Sequence, residues 1–237
     1  LPGFVHLKWN DHDAIKAAIS DQTAAIMIEP IQGEGGIRPV PEQCLKGLRD
    51  LCDEHGLLLI FDEVQCGVGR TGKLFAHEWA GIDPDIMMVA KGIGGGFPLG
   101  AVLASEDAAF GMTAGTHGST YGGNPLGCAV GNKVLELVGD AAFLDEVAEK
   151  ATYFKAGLEA LLARHPNTFK SARGKGLMMG LECAVPNMDV VNAGYDALIL
   201  TVPAGGNVVR FVPALTITKE DIDEALARLS SAAQSLG

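Results

Sequence analysis

Apolar residues fall along this chain in two patterns, short unbroken runs and spaced sets, and each pattern predicts a different element. Ala24 to Ile28, Leu57 to Phe61 and Ile86 to Ala90 are short apolar runs bounded by polar residues, glycine or proline, the pattern of buried strands. Ala101 to Ser105 is predicted as a further strand. Between them, Asp13 to Ser20 places Ile15 and Ile19 on one helical face, and Pro41 to Gly56 spaces Leu45, Leu48, Leu51 and Cys52 as a helix. Pro41 suits a first helical turn and Gly56 a helix stop. Strands alternating with helical connections predict an α/β fold with a parallel sheet.

Beyond residue 124 the pattern changes. Asn124 to Val138 and Ala142 to His165 read as helices, the second ended by Pro166. Phe169 to Ala172, Leu177 to Cys183, Ala197 to Val202 and Val208 to Val212 read as strands. Lys219 to Leu236 reads as a closing amphipathic helix, with Asp221 placed to favour its positive N-terminus. A domain boundary is expected near residue 134, giving segments 1–133 and 134–237.

Composition narrows the function. A net charge of −11 argues against nucleic acid or an anionic membrane as partner, since both demand a basic surface. A small anionic substrate remains compatible, because one placed arginine overrules the global sign locally. No apolar run approaches the roughly 18 residues of a membrane span. The five cysteines, odd in number and without a CxxC, read as reduced thiols of a cytoplasmic enzyme, not as a disulfide framework or a zinc site. The chain begins at Leu1 rather than Met, and a missing N-terminal portion is expected.

Two of the buried runs end in ionisable groups, Asp62 and Lys91. In open α/β sheets ligands bind beyond the carboxyl ends of strands, so both are expected to face one crevice. A lone lysine is ordinarily a solvated charge. One desolvated at a strand end and followed by Gly-Ile-Gly-Gly-Gly is instead a candidate amine nucleophile toward a carbonyl. A carboxylate nearby would keep a pyridine-type ring protonated as an electron sink. Asp62 and Glu63 are not expected to work as a catalytic pair, because adjacent strand residues point to opposite faces. Gly67 to Lys73 satisfies G-x-x-x-x-G-K, but Leu74 stands where a phosphate-binding loop needs Ser or Thr for magnesium. Gly92, Gly94, Gly95 and Gly96 miss the register of a dinucleotide loop. A nucleotide hydrolase is therefore the weaker reading of another class, and an inactive folding or dimer module is a third.

The stretch FDEVQCGVGRTGKLFAHEWAGIDPDIMMVAKGIGGGFPLGA, Phe61 to Ala101, resembles the cofactor-lysine region of class III aminotransferases, which are fold-type I enzymes using pyridoxal phosphate. EPIQGEGG (29–36), THGSTYGGNPLGCAV (116–130), RGKGLMMGLE (173–182) and NVVRFVPALTIT (207–218) resemble further landmarks of that family, in its order. The resemblance implies the C-terminal part of a large mixed-sheet domain followed by a small α+β domain. It implies transfer of a terminal amino group to 2-oxoglutarate, with N-acetylornithine as first donor and succinylornithine, ornithine or 4-aminobutyrate as alternatives.

Residue by residue, it implies that Lys91 holds pyridoxal phosphate covalently and later moves the proton. Asp62 would pair with the ring nitrogen, Val64 would pack on the ring face and Gln65 would bond the phenolic oxygen. Ser119 and Thr120 would reach the cofactor phosphate of the partner subunit in a homodimer. Glu34 and Arg210 would form a switch, the glutamate covering the arginine for an ω-amine and moving aside for the carboxylate of glutamate or 2-oxoglutarate. An arginine suits that carboxylate because its fork binds both oxygens. Val185 to Ala204 departs from the family, with Gly194-Tyr195-Asp196 where a helix should turn into a strand.

Overall fold

A computed structural model describes residues 1–9 and 11–237 of the 237. Helix α1 (His12–Ala18) leads into strand β1 (Ala25–Ile28), and β2 (Ile31–Gln32) pairs with β3 (Arg38–Pro39) in a short ribbon. Helix α2 (Glu42–His55) returns the chain to β4 (Leu58–Asp62), and a long loop precedes β5 (Ile86–Val89) and β6 (Ala101–Ala104). Then come α3 (Pro125–Val138), α4 (Ala141–Arg164), β7 (Phe169–Lys175), β8 (Met178–Cys183), α5 (Asn187–Asp196), β9 (Val202–Ala204), β10 (Val208–Phe211) and α6 (Lys219–Gln234).

The first sheet runs β1-β4-β5-β6. β1, β4 and β5 are parallel, and β6 returns antiparallel to β5, so the sheet is mixed. Leu45, Leu48 and Cys52 of α2 pack on Leu57, Leu59 and Phe61, which makes the helical spacing and the adjoining apolar run two sides of one core. Gly56 closes α2 in the left-handed conformation at φ +65, where a side chain costs about 1 kcal/mol.

The second sheet runs β7-β8-β10-β9, antiparallel throughout. Val147, Ala151, Phe154, Leu158 and Leu161 form one stripe of α4, at alternating spacings of four and three, and bury against this sheet and α6. Thr218 and Asp221 cap α6 reciprocally, each side chain accepting the other's backbone N–H.

Two expectations differ from what is seen. Ala197 to Val202 is not a strand, because α5 runs through Gly194, Tyr195 and Asp196 and the strand begins only at Val202. The chain turns at Leu198, whose φ is +60, and Ile199 N–H donates to Gly194 O at 2.8 Å. Leu198 and Leu200 made the segment look strand-like but face solvent, whereas Val190, Val191 and Ala193 of α5 are buried. The run of β1 is also less buried than expected: none of its four residues is fully buried, and Met27 is 54% exposed. All four residues of β6 are exposed, and among the described strands β5 is its one partner. Among the described residues no helix is long and apolar enough to cross a membrane.

Leu59 and Leu181 are fully buried, one under each sheet. Leu59→Ala and Leu181→Ala are each expected to lower the unfolding free energy by about 2–5 kcal/mol in a denaturant titration. Leu200→Ala should stay within about 0.5 kcal/mol of the wild type.

Candidate active site

Because β1, β4 and β5 are parallel, their carboxyl ends lie along one edge of the first sheet. Glu29 follows β1, Asp62 ends β4, and Lys91 follows β5 by two residues. Ile28 is level with Phe61, and Asp62 with Met88, so the three ionisable groups stand in a row. Asp62 is half-buried and accepts the N–H of Val64 at 3.0 Å, which turns the chain away from the strand. Glu29 is also half-buried and accepts the N–H of Gly33 at 3.0 Å. Burial pushes its pKa above the ordinary glutamate value; the Gly33 bond opposes this, the charge of Asp62 adds to it, and Lys91 pulls it back.

Lys91 is exposed, not desolvated as its place after a buried run suggested, because the chain leaves β5 at Val89 and turns outward. It has φ +47, the left-handed region that a residue with a Cβ occupies only at a cost of about 1–3 kcal/mol. The buried Ile93 and Gly94 hold the turn that imposes this conformation. Gly92 backs it closely, since a Cβ there would sit 3.2 Å from the Val68 side chain. Strain of this kind concentrates at functional positions.

A second group comes from far along the chain. Arg210 lies in β10, level with Gly180 and Val202, and its side chain is 9% exposed. Its Nη1 donates to Glu34 Oε1 at 2.6 Å and to Gln65 Oε1 at 2.9 Å, while its buried Nε has no partner among the described residues. Glu34, by contrast, is 77% exposed. Arg210, first by its hydrogen bond, holds the Glu34 carboxyl below the ordinary value of 4.5. The loop carrying Glu34 is docked on the second sheet. Gly205 N–H donates to Glu34 O at 2.8 Å, Arg173 Nε donates to Gly36 O at 2.9 Å, and Ile37 is fully buried. Gly36, at φ +105, passes so close that a Cβ would lie 2.1 Å from Gly205 O.

The loop after β4 is organised by Glu63, whose side chain is completely buried. It accepts the N–H groups of Ala76 at 2.6 Å and His77 at 2.8 Å, and it lies 2.8 Å from His77 Nδ1. Further along, Arg70 donates to the carbonyls of Leu177 at 3.1 Å and Pro213 at 2.5 Å, joining the loop to the second sheet. Burial lowers its pKa to about 10, still well above neutrality. The G-x-x-x-x-G-K stretch is thus no phosphate cradle. Gly67, Gly69 and Gly72 spend their N–H groups on Glu63, Leu74 and Gly69 carbonyls, and a short 3-10 turn follows in place of a long helix.

Asp62, Gln65, Lys91, Glu34 and Arg210 therefore converge, and Val64 lies beside them between Asp62 and Gln65. Ser119 and Thr120 do not join them. They sit in an exposed segment between β6 and α3, where Ser119 Oγ accepts the N–H of Gly122 at 2.9 Å. Two acids at the site, Glu29 and Glu63, were given no role from the sequence, Glu63 having been set aside only as a catalytic partner of Asp62. Glu29 carries the same signal that marks Asp62, an acid following a buried run. Glu63 has no local signal, because its partners lie thirteen and fourteen residues on.

These features coincide with a known family: the sequence matches aminotransferase class-III over residues 7–233, and the chain belongs to it. It is 66% identical over 236 residues to acetylornithine aminotransferase of Rhodobacter capsulatus, with all of this chain and 60% of the relative covered. Among solved structures it superposes on ornithine aminotransferase of Toxoplasma gondii, which carries pyridoxal phosphate at partial occupancy in its active site. The TM-score is 0.92 at 36% identity, covering 99% of this chain and 57% of that one. N-acetylornithine aminotransferase of Stenotrophomonas maltophilia gives 0.88 at 36% identity, covering 99% and 65%. The chain thus spans about 60% of the length of such relatives.

Glu63→Ala would leave three donors without an acceptor in the core, and a loss of about 3–5 kcal/mol is expected in a denaturant titration. Asp62→Ala removes a half-buried carboxylate with one local bond and should cost less than about 1 kcal/mol.

Proposed function

We infer that the protein carrying this chain is a pyridoxal-phosphate-dependent aminotransferase that moves the terminal amino group of N-acetylornithine to 2-oxoglutarate. The observation that carries the reading is the guarded arginine. Arg210 is buried and fixed, its Nε lacks a partner, and the group covering it is an exposed glutamate free to swing away. A fixed guanidinium with spare donors suits a dicarboxylate such as 2-oxoglutarate, and a carboxylate that can replace it suits an ω-amine.

The donor set fits pyridoxal phosphate. Lys91 offers an amine on a strained turn, Asp62 a carboxylate with acceptor capacity left over, Val64 an apolar face and Gln65 an amide. When bound, that cofactor supplies an aldehyde to take up amino groups and a protonated ring to withdraw electrons. Lys91 Nζ would hold it covalently and, once freed, would carry the proton from the carbon that bears the amino group. Asp62 would be the carboxylate that keeps the ring nitrogen protonated. Gln65, anchored on Arg210 and Glu34, links cofactor position to the state of the switch. Ser119 and Thr120, on an outward-facing segment, are assigned to the cofactor phosphate of a second copy, which makes the working form a homodimer. A cytoplasmic location and a division of the chain near residue 134 belong to the same reading. The donor assignment draws on the 66% relative; the ornithine-acting structure is more distant at 36%.

Pyridoxal phosphate added to the intact protein is expected to give a visible absorbance band that L-glutamate bleaches, and Lys91→Ala should give no borohydride-fixable cofactor. A band in that variant would move the assignment to another lysine. Glu34→Ala is expected to slow the half-reaction with N-acetylornithine at least about tenfold more than that with glutamate, the loss of one charge-assisted contact. Equal losses in both would sink the switch. The pair should also resist mild acid. Since the folded pKa of Glu34 is depressed, its ionic contribution is complete above about pH 4.5 and fades only as pH falls through the lower folded value. Substrate discrimination by Arg210 is therefore expected to be flat from about pH 5 upward.

A further inference from the structure

We propose that Glu29 is a positioning residue for the Glu34–Arg210 switch, holding the Gly33 amide so that Glu34 meets the guanidinium at the right height. The proposal rests on the switch reading above, and it extends that reading to a residue that touches neither substrate nor Arg210.

The geometry is a relay of contacts. Glu29 directly follows β1, whose last residue, Ile28, is paired with Phe61 in the sheet. Its Oε2 accepts the N–H of Gly33, one residue before Glu34. Gly33 is pressed from its other side by Gln65, for a Cβ there would fall 2.3 Å from Gln65 Oε1. That same oxygen accepts from Arg210 Nη1, and Gln65 Nε2 donates to Glu34 Oε1 at 3.4 Å. Beyond Glu34 the loop is held by the second sheet through Gly205 N–H and Arg173 Nε. Among the described residues, the bond from Glu29 is the one that ties the backbone of Gly33 to the first sheet through a side chain. The Glu34 side chain is thereby free to swing while its backbone stays fixed at both ends. A carboxylate is a strong acceptor for that purpose, and half-burial shields the bond from water.

The test compares Glu29→Ala and Glu29→Gln in the intact, cofactor-loaded protein. Glutamine keeps an oxygen for the Gly33 N–H and loses the charge; alanine loses both. In Glu29→Ala, amide hydrogen exchange over residues 33–36 is expected to quicken about tenfold, and the half-reaction with N-acetylornithine to slow about tenfold more than that with glutamate. Glu29→Gln should return both quantities to within about threefold of the wild type. Wild-type exchange over residues 33–36 in the alanine variant would overturn the proposal. So would equal loss of both half-reactions, which would place Glu29 at the reacting centre, and so would a glutamine variant as impaired as alanine, which would make its charge beside Asp62 and Lys91 the operative property. Hydrogen exchange reads the loop without any turnover, so a wild type that fails to use N-acetylornithine would count against the substrate reading alone, and unchanged exchange against Glu29.

Discussion

The buried carboxylate of Glu63 accepts two backbone N–H groups and faces a histidine nitrogen, and the loop that builds the site is shaped around it. A carboxylate in a closed interior is tolerable only with its oxygens saturated, so the chain from Val64 to Trp79 has little choice of path. That path carries Val64 and Gln65 past the strand end of Asp62, and it then drives Arg70 across to the second sheet. Glu63 takes no part in the chemistry proposed above, yet removing its acceptor oxygens would leave the N–H groups of Ala76 and His77 unpaired in the core of the loop.

The site is a seam between two sheets that share no strand. The first sheet contributes an acid, an acid and a lysine at adjacent carboxyl ends, the arrangement parallel strands make available. The second contributes one arginine from the middle of an antiparallel strand. Between them runs the loop of Gly33 to Ile37, too tight for a side chain at Gly36 and locked by the burial of Ile37. Close approach of backbone to backbone is what brings Glu34, 176 residues from Arg210 in the chain, to within 2.6 Å of it.

How much of this was legible in the sequence follows from the range of the interactions. The strands leading to Asp62 and Lys91 and helices α2, α4 and α6 are written in local apolar spacing and in end signals such as Gly56 and Asp221. Helix α5 and the turn after it were misread because Leu198 and Leu200 are apolar yet solvent-facing, which a pattern of hydrophobicity has no means to register. Glu34 and Arg210 could be linked only through a resemblance to a family, since nothing in their own neighbourhoods points from one to the other. Glu63 lay hidden for the converse reason: next to Asp62 it looks like surface charge, and its partners appear only once the loop has closed.

Arg70 joins the two sheets through carbonyl oxygens alone. Unlike a carboxylate, a carbonyl is not neutralised by a proton in the ordinary pH range, and the guanidinium, with its pKa lowered by burial to about 10, stays charged there too. The joint beside the Glu34–Arg210 pair is therefore insensitive to mild acid. In engineering terms, Glu34 is the exposed side of that contact, while the mounting next to it holds its charge.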